Sequence, residues 1–80
     1  MNDKLAMQIR DAIKNRLIEC RLENDMTQSD VGKVVGKSKN AVASWEQGYS
    51  LPDIATLYRL SVYYEKTINY MMGVPEDADR

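Results

Sequence analysis

Residues 27–48 read TQSDVGKVVGKSKNAVASWEQG, and the way glycines and caps divide this stretch decides the fold. Thr27 with Asp30 forms a capping box, in which the Thr hydroxyl accepts the backbone N–H of residue 30 and the acidic side chain reaches back. The helix that opens there carries Val31, Val34 and Val35 on its inner side. It stops at Gly36, because glycine takes positive φ at a helix C-terminus without steric cost. Only Lys37 separates Gly36 from Ser38, a good N-cap for a second helix that runs through Asn40, Val42 and Trp45 to a stop at Gly48. Two short helices are therefore joined by a turn of about three residues.

Gly36-Lys37-Ser38 also ends a phosphate-binding loop, G-x-x-x-x-G-K-[ST], in which glycines after a strand let backbone N–H groups wrap phosphates. The spacing here is wrong. Gly32 stands four residues before Gly36 where five are required, and the position that should be glycine is Val31. The preceding residues cap a helix instead of ending a strand, so nucleotide binding is set aside. Two helices with a small residue, Gly32, in the first and a glycine at the corner make a helix-turn-helix. In this reading Gly32 permits a close crossing, Gly36 turns the corner, and Val31, Val35, Val42 and Trp45 lock the pair. Trp45 fits the helical pattern and reads as core rather than as a base-stacking platform. The second helix is then free to lie in a major groove about 12 Å wide, with its N-terminal polar residues toward base edges.

Working outward, Ile9, Ile13, Leu17 and Cys20 recur every three or four positions between Leu5 and about Glu23, an amphipathic helix that should stop near Asn24-Asp25. Asp53 caps a fourth helix burying Leu57, Leu60 and Tyr64, and Thr67 opens a short fifth that ends at Gly73. No segment shows sustained strand alternation, which predicts an all-α fold of five helices. Residues 1–73 are expected to form one domain, with the helix-turn-helix at about 27–47. The acidic tail, 74–80, is expected to be mobile, either a free end or the start of a linker.

Composition narrows the class. The 80 residues are 44% apolar and 29% charged, enough for one small core and no second module. The single Cys20 closes no internal disulfide, and with no His in the chain it joins no zinc site, which points to a reducing cytoplasm. No apolar run exceeds three residues, so neither a signal peptide nor a membrane span is expected. Without His, and with no Ser or Cys in a nucleophile-elbow setting, catalysis is not expected either, nor is a metal or cofactor.

Beyond these readings, the chain resembles the XRE or Cro/CI-type helix-turn-helix regulators, to which lambda-type phage repressors belong. The resemblance covers roughly residues 10–73. It rests on Met26-Thr27-Gln28, Val35-Gly36-Lys37-Ser38, Val42-Ala43-Ser44-Trp45-Glu46-Gln47-Gly48, Leu51-Pro52-Asp53, Leu57 with Leu60, and Ile68-Asn69-Tyr70-Met71-Met72-Gly73, in that order and spacing. It implies a compact lambda-repressor-like domain that binds double-stranded DNA. Gln28 resembles the Gln that contacts a DNA phosphate, and Ser38 matches a position that touches phosphate while capping the recognition helix. For Gln28, and for Asn40, a purely local capping role is the plain alternative. Lys39, Asn40 and Ser44 match positions that face base edges, and the chemistry agrees, because Lys donates to guanine and Asn pairs with adenine in two hydrogen bonds. Ala41 and Ala43 either lie against thymine methyls or serve as helix formers. Arg21 and Glu46 resemble a structural ion pair that recurs in the family.

The formal charge of -1 and a pI near 5.3 do not suggest a nucleic-acid binder in total. Locally, however, residues 33–39 carry Lys33, Lys37 and Lys39 with no acid, and Arg10, Lys14 and Arg16 lie on the first helix. Lys33 and Lys37 are accordingly expected to join the phosphate contacts. Tyr58, Val62, Tyr63, Tyr70 and Met72 are either scattered surface apolars or a homodimer patch. Members of the resembled family often pair through their C-terminal helices, which sets two recognition helices about 34 Å apart on a near-palindromic operator. Two departures stand out. The loop Gln47–Leu51 lacks the Lys or Arg that often grips the backbone in that family, and long polar side chains are few after Asn40. They leave open a rival reading, a helix-turn-helix module that docks a protein partner through its C-terminal helices, as an antirepressor or antitoxin component does. The expectation is a cytoplasmic, sequence-specific DNA-binding regulator, acting mainly as a repressor.

Overall fold

The computed structural model describes residues 3–75, all-helical among those residues: α1 Asp3–Glu23, α2 Gln28–Val35, α3 Lys39–Gln47, α4 Ile54–Tyr63 and α5 Ile68–Met72. The tail expected at 74–80 falls, from residue 76 on, outside the described residues.

Each boundary has a local cause. The Asn24 side chain donates to the Cys20 carbonyl at 2.7 Å, and Asp25 takes φ 54°, so α1 closes without a glycine. At α2 the Asp30 N–H reaches Thr27 Oγ1 at 3.1 Å, and the Thr27 N–H reaches Asp30 Oδ2 at 2.9 Å, so both halves of the capping box are made. Ser38 Oγ accepts from the Ala41 N–H at 3.0 Å, Asp53 Oδ1 from Thr56 at 2.7 Å and Thr67 Oγ1 from Tyr70 at 3.0 Å, opening α3, α4 and α5. Gly36, at φ 69°, ends α2 in the left-handed region. At the C-terminal end of α4 the same conformation falls to Glu65, at φ 58°.

The turn between α2 and α3 explains Gly32. A Cβ there would sit 2.5 Å from the Lys37 carbonyl oxygen. The close approach is therefore to the backbone of the turn rather than to the body of α3, and the Lys37 N–H donates back to the Gly32 carbonyl at 2.9 Å.

The core gathers Ile13, Leu17 and Cys20 of α1, Val31 and Val35 of α2, Val42 and Trp45 of α3, Leu57 and Leu60 of α4, then Tyr64 and Met71. Ile9 and Val34 only flank it. Burial raises the pKa of the Tyr64 hydroxyl to about 12 and also raises that of the Cys20 thiol. In outline, α2 packs on α3, α1 lies across α3 and α5, and α4 rests on α5 and α2. This arrangement leaves the first residues of α3, Lys39 and Asn40, at the surface.

Candidate nucleic-acid interface

At the start of α3, Ser38, Lys39 and Asn40 are exposed while Val42 and Trp45 are buried, so the helix shows a polar end to solvent and an apolar side to the core. Ala41 and Ala43 are both half-buried, but only Ala41 packs on the core, which leaves Ala43 as the alanine nearer the outer side. Gln47 is exposed, four residues beyond Ala43 and seven beyond Asn40, and so shares their face. It adds a long polar side chain to that face beyond the residues the family resemblance implied, and its seven-residue spacing from Asn40 is the sequence signal for it. Ser44 is half-buried, and its hydroxyl lies 2.7 Å from that of Ser50, tying α3 to the following loop.

The phosphate candidates take different settings. Lys33 is exposed on α2. Lys37 is exposed in the turn with its Nζ 3.7 Å from Asp53 Oδ2, a pair 42% and 61% exposed that costs little to open. Gln28, the first residue of α2, is half-buried, and its Nε2 donates to Glu46 Oε1 at 3.1 Å. Glu46 in turn receives Arg21 Nε on Oε2 at 2.7 Å and Arg21 Nη2 on Oε1 at 3.1 Å, a two-point guanidinium–carboxylate pair. Arg21 Nη1 donates to the Met26 carbonyl at 3.0 Å, and the hydrogen bonds it donates to Glu46 push the arginine pKa above its usual value. This network ties α1, the entry to α2 and the end of α3 together. The Arg21–Glu46 pair is the one the family resemblance implied, whereas the Gln28 contact to Glu46 has no signal in local sequence.

The cations of α1 divide. Arg10 is exposed, and Lys14 lies with its stem 3.4 Å from where a Cβ on Gly48 would be. Arg16 turns toward α5, donating to the Tyr70 carbonyl at 3.3 Å, with its guanidinium 4.5 Å from the centre of the Tyr70 ring.

These two short helices, with their capped turn and a solvent-facing polar N-terminus on α3, are the geometry of a helix-turn-helix. A family model described as Helix-turn-helix matches residues 17–71, most of the chain. The chain belongs to the helix-turn-helix family, XRE or Cro/CI type. No match was found among curated proteins or among solved structures. This helix-turn-helix domain is thus a member of a DNA-binding regulatory family, and the match spans all of α2, α3 and α4.

Away from α3, the helix-turn-helix domain exposes Ile54, Tyr58 and Val62 at 73%, 61% and 57%, one apolar line at i, i+4 and i+8 along α4. Tyr63, half exposed, stands beside it, its ring edge-on to that of Tyr64. Tyr70 and Met72 are instead half-buried against the core, with Lys66 Nζ 4.9 Å from the centre of the Tyr70 ring. The exposed apolar patch is therefore carried by α4, and Ile54 joins it beyond the residues expected from sequence. Among the described residues no helix is long and apolar enough to cross a membrane, and no cluster of His, Cys, Asp or Glu is suited to a metal.

Proposed function

We propose that the chain is a sequence-specific regulator of transcription, acting as a repressor by occupying promoter DNA with α3 in the major groove. The observation that carries this is the exposed Ser38-Lys39-Asn40 start of α3 in a chain of the helix-turn-helix family. Lys39 and Asn40 donate to base edges, with Ala43 and Ser44 completing the contact surface. Ser38, Lys37, Lys33 and Gln28 hold the phosphates, Lys37 leaving Asp53 to do so. Residues 1–73 act as the binding domain, without catalytic activity or cofactor, in the cytoplasm. Two copies pair through the exposed face of α4, Tyr58 and Val62 with Tyr63 beside them, and so read a near-palindromic operator.

The test is fluorescence-anisotropy titration against a random duplex pool at several salt concentrations, comparing wild type with the double variant Lys39→Ala, Asn40→Ala. Salt-dependent binding that enriches a near-palindromic sequence, and is lost in a variant melting like wild type, is the expected result. Absence of wild-type binding even at low salt overturns the reading.

A further inference from the structure

The Glu46 carboxylate holds more than Arg21. Its side chain is 6% exposed, and Oε1 accepts Gln28 Nε2 as well as Arg21 Nη2, both at 3.1 Å. A carboxylate can only accept hydrogen bonds, so the Gln28 amide is held with its nitrogen toward Glu46 and its oxygen turned away. That nitrogen carries two hydrogens, one committed to Glu46 and one left for a second acceptor. A DNA phosphate is likewise acceptor-only. A glutamine amide serves it through nitrogen and is repelled by it when flipped to present oxygen.

Free surface glutamines sample many rotamers and both flips, and ordering them subtracts from binding. Gln28 is ordered before any ligand arrives. Arg21 extends the arrangement, since the guanidinium that clamps Glu46 also donates to the Met26 carbonyl, two residues before Gln28. We propose that Glu46 is a positioning residue for DNA-backbone binding, holding the Gln28 amide in the orientation that donates to phosphate. The inference rests on the DNA reading above, in which Gln28 touches phosphate. It adds that the base of α3 governs a contact made from the start of α2.

The test pairs nuclear magnetic resonance of glutamine side-chain amides with a double-mutant cycle, using a random-sequence duplex at low salt as the probe. In the free wild-type protein one Gln28 Nε2 proton should exchange slowly and resonate apart from those of Gln8 and Gln47, both exposed. Adding duplex should then shift the other Gln28 proton. Gln28→Ala and Glu46→Gln should each weaken binding about 5- to 10-fold, and the double variant should be no weaker than the worse single variant. The salt slope should be unchanged in Gln28→Ala, because a neutral donor releases no counterion.

Wild-type binding with additive losses, or a Gln28 amide indistinguishable from those of Gln8 and Gln47, overturns the positioning role alone. Wild type that fails to bind overturns the DNA reading together with it. Should Glu46→Gln melt below the assay temperature, the wild-type resonances decide: a duplex-induced shift of the second proton upholds the role, and its absence overturns it.

Discussion

At Lys39 and Asn40 the same exposed helix start carries two kinds of donor, and their physics separates them. Lys39→Ala should lower the slope of log affinity against log salt by about 1 if the ammonium displaces a counterion on the duplex. Asn40→Ala should leave that slope alone, since its amide is neutral. Salt titrations of the two variants on one duplex check both statements. Gly32 tests the fold at the same scale. A Cβ there meets backbone, the Lys37 carbonyl oxygen at 2.5 Å, and backbone cannot swing aside as a flexible side chain does. Gly32→Ala should therefore cost about 1–3 kcal/mol in urea unfolding, although alanine is the better helix former. Glu46→Ala strands the Arg21 guanidinium, 17% exposed, and should cost about 3–5 kcal/mol, read as a lower melting temperature. An unchanged melting temperature would show that the pair does not hold the helices together.

Among the helices, caps set both the boundaries and the acid response. Asp30 and Asp53 each accept the first-turn hydrogen bonds of their helix, and those bonds hold both carboxyls below the ordinary value of 3.8. Depressed acids contribute stability that is present above the unfolded pKa and is lost as pH falls through the lower folded value. The contribution should thus be intact at neutral pH and disappear below about pH 4, and Asp30→Asn with Asp53→Asn should flatten the acid limb followed by circular dichroism. Tyr64 acts in the opposite direction. Its raised pKa keeps the neutral form buried, so stability should fall as pH rises between the ordinary tyrosine value of 10.0 and about 12. The same caps made most of the fold readable from sequence, because Thr27, Ser38, Asp53 and Thr67 signal starts and Gly36, Gly48 and Gly73 signal stops within a few residues. The end of α1 was legible in the turn-prone pair Asn24-Asp25, whereas the end of α4 was harder to read, since Glu65 adopts positive φ without being glycine. In the candidate site the solvent-facing start of α3 was legible from periodicity. The Gln28–Glu46 and Lys37–Asp53 contacts were not, because each joins residues that only the packed fold brings together.

For the whole molecule, an acidic net charge and a basic helix start are compatible because screening at a Debye length of about 8 Å confines the field to nearby phosphates. The proposed dimer adds the rest of the affinity by joining two such faces. Replacing Tyr58 and Val62 by Glu should leave the fold intact, since both are exposed. It should shift sedimentation to the monomer and weaken binding to a two-half-site duplex about 100-fold or more relative to a single half-site. The most direct test of α3 as the reading element is a set of duplexes permuted at every base pair of the selected site, titrated with wild type and with Asn40→Ala. If α3 lies in the major groove, the variant loses discrimination at one position in each half-site and keeps it elsewhere. If discrimination is unchanged at every position, or falls evenly across all of them, Asn40 does not read a base and the assignment of the α3 start as the reading surface is contradicted.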